Sequence, residues 1–242
     1  MRAIILAGGE GLRLRPLTDK VPKVLLPLNN KPICLYQIDW LKGCQIKEIV
    51  FAVGYLGDEI EEELGDGSKF GVKINYVKED TPLDTAGALR NAFDSFYITE
   101  NRFKDQYFVV LNGDILTDID ISGLLDFHLK KDSLVTILLV KSSNSSSYGV
   151  VSCSPDGRIK RFNEKLEIKG GALINAGIYV VRSEAIEYIP KGKRYSFERE
   201  FIPDLIEKDL PIYGYQTSGY WIDVGIPERY FQAQEDTLRI KL

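Results

Sequence analysis

The sequence predicts an α/β fold in which a mixed, mainly parallel central sheet is flanked by helices and followed by a smaller, more antiparallel half. Three observations predict it. Short β-branched runs alternate with helical patterns through the first half, which is the signature of βαβ units. Beyond Val140 the pattern shifts to closely spaced extended segments. The chain has 242 residues, 44% of them hydrophobic, enough for one or two lobes with a buried core.

In chain order, strands are expected at residues 3–6, 49–53, 73–77 and 107–111, and helices at 32–41, 57–64, 85–93 and 121–131. The helix at 32 opens on a proline, which suits a first turn. The run Asp58-Glu59-Ile60-Glu61-Glu62-Glu63 reads as the solvated face of a short helix rather than a metal site. Ser142-Ser143-Asn144-Ser145-Ser146-Ser147 reads as a mobile loop that cannot contribute to a core. It divides a single domain, 1–242, into halves at about 1–140 and 148–242. Extended segments follow at 149–152, 159–162 and 175–181, with a turn at Asp156-Gly157. Helices at 183–188 and 197–207, strands at 212–215 and 220–222, and a helix from Pro227 complete the chain. No repeat of solenoid period is present. The architecture expected is Rossmann-like, with both halves fused into one sheet.

Charge and composition narrow the function. With 31 basic and 35 acidic side chains the formal charge is −4, so the chain is a poor non-specific nucleic-acid binder. Any anionic ligand must be met by a local cationic site. Cys34, Cys44 and Cys153 form no C-x-x-C pair, which argues against a disulfide framework or a zinc site and fits a reducing, cytoplasmic setting. His128 is the only histidine, which disfavours a His-rich metal site or imidazole catalysis. The apolar segment before Gly8 is too short for a signal peptide or membrane span, so a soluble protein is expected.

The first strand runs into Gly8-Gly9-Glu10-Gly11-Leu12-Arg13-Leu14. A glycine loop there lets backbone amides approach a phosphate or a base. Leu14 stands where a dinucleotide fingerprint needs its third glycine, and the Gly-Lys-Ser/Thr of a P-loop is missing. By itself the loop is equally well a tight turn. The cations just downstream, Arg13, Arg15 and Lys23, favour a ligand: prolines rigidify Val21-Pro22-Lys23-Val24-Leu25-Leu26-Pro27, arginine clamps phosphate oxygens and lysine supplies a compact charge. A nucleoside triphosphate requires this.

Leu6-Ala7-Gly8-Gly9-x-Gly11-x-Arg13-Leu14 with Pro22-Lys23 is followed in order by Pro82-Leu83-x-Thr85-Ala86-Gly87-Ala88-Leu89, Leu111-Asn112-Gly113-Asp114, Tyr148-Gly149-Val150, Phe162-x-Glu164-Lys165, Asn175-Ala176-Gly177-Ile178-Tyr179 and Trp221-Ile222-Asp223-Val224-Gly225. Together these resemble the sugar-1-phosphate nucleotidyltransferases, enzymes that join a nucleoside triphosphate to a sugar 1-phosphate and release pyrophosphate. The resemblance covers nearly the whole chain and implies the nucleotide-diphospho-sugar transferase type of fold. It also implies Arg13 and Lys23 as catalytic residues, and Asp114 and Asp223 as ligands of Mg²⁺. Each aspartate alone would suit a turn or a cap equally well. Asn112, Gly149, Glu164, Lys165 and Asn175 are implied to hold the sugar phosphate, although Leu166 stands where the family often has proline. Leu6, Ala7, Gly8, Gly9, Gly11, Asp84, Thr85 and Gly87 are implied to bind the nucleotide.

The Thr85-Ala86-Gly87 core resembles guanylyltransferases acting on mannose 1-phosphate or the manno-configured heptose 1-phosphate, so GTP is favoured. Thymidylyl or uridylyl transfer to another sugar 1-phosphate, such as glucose 1-phosphate, is the alternative. Asp84 replaces the usual glycine and could read guanine or cap the following helix. A metal-dependent glycosyltransferase would need Asp118 and Asp120 on the metal, yet Asp120 suits a helix N-cap better. A non-catalytic nucleotide-sugar sensor is disfavoured by the presence of Arg13, Lys23, Asp114 and Asp223 together. Short relatives commonly self-associate, so a homo-oligomer is possible. No acetyl transfer is expected from a chain that stops shortly after Asp223.

Overall fold

Ala3, Ile4 and Ile5 of β1 (Arg2–Ala7) are fully buried. A strand apolar on both faces belongs inside a parallel sheet, because helices must cover both its sides. The computed structural model, which describes residues 1–95, 107–164, 166, 168 and 170–239, places it there. After β1 come β2 (Pro27–Leu28), β3 (Lys31–Pro32), α1 (Ile33–Gly43), β4 (Glu48–Val53), α2 (Gly57–Leu64), β5 (Lys73–Lys78), α3 (Asp84–Phe93) and β6 (Tyr107–Asn112). β1 pairs in parallel with β4 on one edge and β6 on the other, and β4 pairs in parallel with β5.

The second half continues the same sheet. It comprises β7 (Ile115–Thr117), α4 (Ser122–Lys130), β8 (Val135–Ser142), β9 (Gly149–Cys153), β10 (Ile159–Glu164), β11 (Ala172–Arg182), α5 (Ile202–Glu207), β12 (Ile212–Gln216), β13 (Trp221–Asp223) and α6 (Pro227–Arg239). β11 lies antiparallel to β6, β8 and β9, which makes the sheet mixed and nine-stranded among the described residues. Alternation along β1 feeds two cores: Ile4 packs with Ala86, Leu89 and Phe197 on one face, Ala3 and Ile5 with Ile38, Leu41 and Ile60 on the other.

The expected elements are found, with several differences, among them the short strands β2, β3 and β7, which were not expected. β8 was not expected as a strand; its Val135–Val140 side chains are all buried, and a continuous apolar run has no period to read. The serine stretch is not wholly outside the core: Ser142 ends β8, while Ser145 is buried, its hydroxyl donating to the Leu166 carbonyl at 2.8 Å and accepting from the Ile168 amide at 2.9 Å. Residues 183–188 form a 3₁₀ rather than an α-helix, and residues 197–201 form a wide π-helical turn leading into α5. Of α2, Ile60 and Leu64 are buried while its acidic residues face outward, as the sequence predicted. No described helix is long and apolar enough to cross a membrane.

His128, on α4, has no exposed surface; its Nδ1 lies 2.9 Å from the Thr136 hydroxyl. Burial, reinforced by the Arg182 charge, pushes its pKa from the ordinary 6.5 down to about 4. In the window between these values the unfolded chain takes up a proton that the folded chain refuses. The contribution of His128 to stability should therefore be constant above about pH 7 and fall as the pH drops from 6.5 towards 4, by about 3 kcal/mol in all. Urea midpoints measured across this range should show wild type losing stability relative to His128→Gln as the pH falls, the difference between the two proteins isolating this group.

Candidate active site

The sheet order β5-β4-β1-β6 reverses direction at β1. At such a switch point the loops leaving the carboxyl ends of neighbouring strands diverge and open a crevice. Here those loops are Gly8–Leu12 after β1 and Gly113-Asp114 after β6, and they line a cavity of about 560 Å³. Gly11 has φ +63°, the left-handed conformation that glycine adopts without strain. From there the chain turns into a 3₁₀ turn, Leu12–Leu14, that carries Arg13 into the cavity wall. A second 3₁₀ turn, Lys23–Leu25, brings in Lys23.

Asp223 arrives by another route. β13 pairs antiparallel with β7, setting Asp223 opposite Ile115, and the Val224 amide donates to the Asp114 carbonyl at 2.9 Å. A Cβ placed on Gly225 would lie 2.6 Å from Asp223 Oδ1, 2.9 Å from Arg13 Nη2 and 3.4 Å from Asp114 Oδ2. Four side chains predicted from sequence therefore meet around Gly225: Arg13, Lys23 and Asp114 line the cavity with it, Asp223 adjoins them, and Lys23 Nζ donates to Asp114 Oδ2.

Burial alone would raise the Asp114 carboxyl, but the Lys23 ammonium, with its hydrogen bond and support from Arg13, outweighs this and holds it below the ordinary carboxylate range. Asp223 moves the other way: burial raises it first, and the neighbouring Asp114 charge raises it further. Two carboxylates crowded in this way suit a divalent cation, which removes the repulsion between them. Among the described residues no third carboxylate, histidine or cysteine joins them, so an ion would take its other ligands from phosphate oxygens and water.

The cavity is further lined by Leu6, Ala7, Gly8, Gly9, Asp84 and Thr85, by Asn112 next to Gly113-Asp114, all expected from the sequence, and by Glu79 and Arg194, which sequence reading missed. Glu79 follows β5 at the carboxyl end of a strand of the same parallel sheet, and that position is the signal that could have found it. Its Oε2 accepts the Leu83 amide at 2.9 Å, its Oε1 has no protein donor among the described residues, and burial raises its pKa. Asp84 sits at φ +60°, a conformation that aspartate tolerates better than most residues. Both its oxygens are engaged: Oδ1 accepts the Thr85 amide at 2.8 Å, and Oδ2 accepts from Arg199 at 2.5 Å with Arg194 at 3.5 Å.

Of the remaining candidates, Gly87, Gly149, Glu164 and Asn175 are not among the residues that line the cavity. Gly87 packs on the backbone of residues 193–195, its amide bonded to the Tyr195 carbonyl at 2.9 Å. A side chain on Gly149 would run into the Phe162 ring, so this glycine serves packing as much as ligand approach. Glu164 ends β10 and is exposed, and Lys165 lies outside the described residues. Asn175 is buried, with both polar ends bonded internally. Asp120 accepts from the Ser122 amide at 2.9 Å and Asp118 from the Tyr220 amide at 2.7 Å, so both serve local structure.

This fold and site define a nucleotide-binding α/β transferase. The chain belongs to the nucleotidyl transferase family, whose sequence profile matches residues 2–240. It is 36% identical over 238 residues to a mannose-1-phosphate guanylyltransferase of Mycobacterium tuberculosis, covering 98% of this chain and 64% of that one. To a UTP–glucose-1-phosphate uridylyltransferase of Synechocystis it is also 36% identical, over 96% of this chain and 62% of the relative. The chain thus spans less than two thirds of these curated relatives. HddC from Yersinia pseudotuberculosis superposes with a TM-score of 0.84 at 29% identity, covering 98% of this chain and 99% of HddC; a second HddC structure holds GMP-PN.

Gly225→Ala would drive a methyl against Asp223 Oδ1 and Arg13 Nη2. In a nucleotidyl-transfer assay the variant should be slower than wild type by about a hundredfold, the cost of misplacing groups by about 1 Å. Its melting temperature should stay within a few degrees of wild type, as measured by circular dichroism. Unchanged turnover would mean that the cluster does no chemistry.

Proposed function

We propose that the protein transfers a guanylyl group from GTP to a manno-configured sugar 1-phosphate, heptose 1-phosphate or mannose 1-phosphate, giving a GDP-sugar and pyrophosphate. The observation that carries this reading is the meeting of Arg13, Lys23, Asp114 and Asp223 around Gly225, at a cavity that also presents backbone and carboxylates suited to a base. The guanylyltransferase relative and the GMP-PN complex of HddC support guanine. Uridylyl or thymidylyl transfer is the second reading, favoured by the Synechocystis relative. Residues of about 1–140 would serve the nucleotide and those of about 148–242 the sugar.

The reaction needs no protein nucleophile, because a sugar 1-phosphate is already an anion at neutral pH. Its phosphate oxygen attacks the α-phosphorus in line, the bond to the β-phosphate oxygen breaks, and pyrophosphate leaves with the electron pair. Arg13 holds the triphosphate by its oxygens, and Lys23 neutralises charge growing on the α-phosphoryl group. Asp114 and Asp223 would hold Mg²⁺, which when bound supplies positive charge to the phosphates. Lys23 is paired with Asp114, which aims it at the cluster. Arg194, 72% exposed at the cavity rim, is a further cation for an anionic ligand.

For the base, Glu79 is the better reader, since its free Oε1 can accept from guanine N1–H or the 2-amino group while both oxygens of Asp84 are engaged. Lys165 and Glu164 are proposed for the sugar phosphate and hydroxyls on the family resemblance alone.

Pyrophosphate release should be measured for GTP, dTTP, UTP and ATP against mannose, glucose and heptose 1-phosphates. GTP with a manno-configured acceptor should give the highest kcat/KM, whereas release with no pair would overturn the reading. Lys23→Ala should lower the turnover number by about 10²–10³-fold with a much smaller change in GTP binding. Glu79→Gln should erode the preference for GTP more than Asp84→Gly does; the reverse order would move the reading of the base to Asp84.

A further inference from the structure

Strand β11 changes neighbours partway along its length. Ile174 pairs with Val150 of β9, whereas Ile178 onward pairs with β6, so the sugar-side strands join the nucleotide-side sheet here. Against β8 the register slips between Asn175, opposite Leu139, and Tyr179, opposite Ile137. The slip is a bulge with Gly177 at φ +69°, and such bulges re-aim what lies beside them. Beside this one is Asn112 of the cavity lining: a Cβ on Gly177 would lie 2.8 Å from Asn112 Nδ2. Asn112 Oδ1 is buried with no partner among the described residues, an acceptor left for a ligand.

A chain of hydrogen bonds fixes the bulge. Asn175 Oδ1 accepts the Gly177 amide at 2.9 Å, and Asn175 Nδ2 donates to the fully buried Tyr179 hydroxyl at 2.7 Å. That hydroxyl donates to Glu198 Oε1 at 3.2 Å. The other oxygen, Oε2, accepts from Ser196 Oγ at 3.1 Å and Thr85 Oγ1 at 3.2 Å, and Thr85 Oγ1 accepts the Phe197 amide at 2.8 Å. Thr85 belongs to the first turn of α3 and lines the cavity. Glu198 therefore stands between two parts of the lining: one oxygen faces the support of Asn112, the other that of Thr85.

We infer that Glu198 and Tyr179 are positioning residues that hold the two substrate-facing walls in register, Glu198 serving both walls and Tyr179 only the sugar-side one. Neither touches substrate. The inference rests on the proposed nucleotidyl transfer, with Asn112 on the sugar-phosphate side.

The test is a set of KM and kcat values for both substrates in Tyr179→Phe, Thr85→Val, Glu198→Ala and the double variant of Glu198→Ala with Tyr179→Phe, alongside melting temperatures. Tyr179→Phe should lower kcat/KM for the sugar 1-phosphate about tenfold or more, as expected for losing a hydrogen bond to a charged group, and leave KM for GTP within about twofold. Thr85→Val should do the converse. Glu198→Ala should impair both substrates, and adding Tyr179→Phe to it should cost little more, because the two residues act through one chain. If the variants melt lower but keep both KM values, or if each impairs both substrates alike, the inference is wrong and the network is structural only. A wild type that releases no pyrophosphate overturns the proposed reaction itself, an outcome separate from these.

Discussion

The site depends on the pairing of β1, the strand whose backbone is satisfied in parallel on both edges by β4 and β6. Because the connections lead to opposite sides of β1, the loops at its carboxyl end and that of β6 cannot cover each other, and a crevice is left between them. Everything that lines it is placed by this geometry. Gly113 passes so close that its amide bonds the Leu6 carbonyl at 2.9 Å, while a Cβ there would meet that oxygen at 2.8 Å. A larger residue would force the strand ends apart, and Asn112 and Asp114 on either side of it would move with them.

Within the crevice, charge is balanced locally although the protein as a whole is acidic. Asp114 is offset by Lys23, and Asp223 by Arg229, whose Nη2 lies 3.3 Å from Oδ2 and whose other Nη donates to the Tyr148 hydroxyl. A buried carboxylate without such partners would protonate. The pairs keep both aspartates near ionisation, available to a metal, and keep the cations fixed at the place where phosphate charge would enter. Pre-paired groups of this kind need little reorganisation when a charged ligand arrives, which is the condition under which electrostatic catalysis is effective.

How much of this was legible in the sequence follows from what each feature depends on. The parallel half was legible because alternation of short apolar runs and helical periods is a local property. Arg13 and Lys23 were legible because each lies within a few residues of a glycine or proline that fixes the local backbone, whereas Asp114 and Asp223 were placed in the site by the family resemblance. Glu79 and Arg194 were not legible: Glu79 is marked only by its place just after β5, nothing near Arg194 in sequence marks it, and it reaches the cavity because the 194–199 segment packs beside α3. β8 was missed because a strand buried on both faces has no polar alternation. Asn175 and Thr85 were found as residues, but their hydrogen bonds to Tyr179, Phe197 and Glu198 could not be read from the chain, since the partners stand 4, 112 and 113 positions away.

Asp84 shows how a local departure is accommodated. A non-glycine residue at φ +60° costs backbone strain, which aspartate reduces by bonding its own neighbourhood, here the Thr85 amide. That leaves Oδ2 facing the cavity, where a bare carboxylate would repel a triphosphate. Arg199 and Arg194 cancel the charge, and both come from the segment that also supplies Ser196 and Glu198. One substitution at the lip of α3 is thus matched by cations on the facing segment, and the same facing segment holds Thr85. The cavity around Asp84 and Thr85 is therefore shaped by contacts between the two halves of the chain rather than by the loop motif alone.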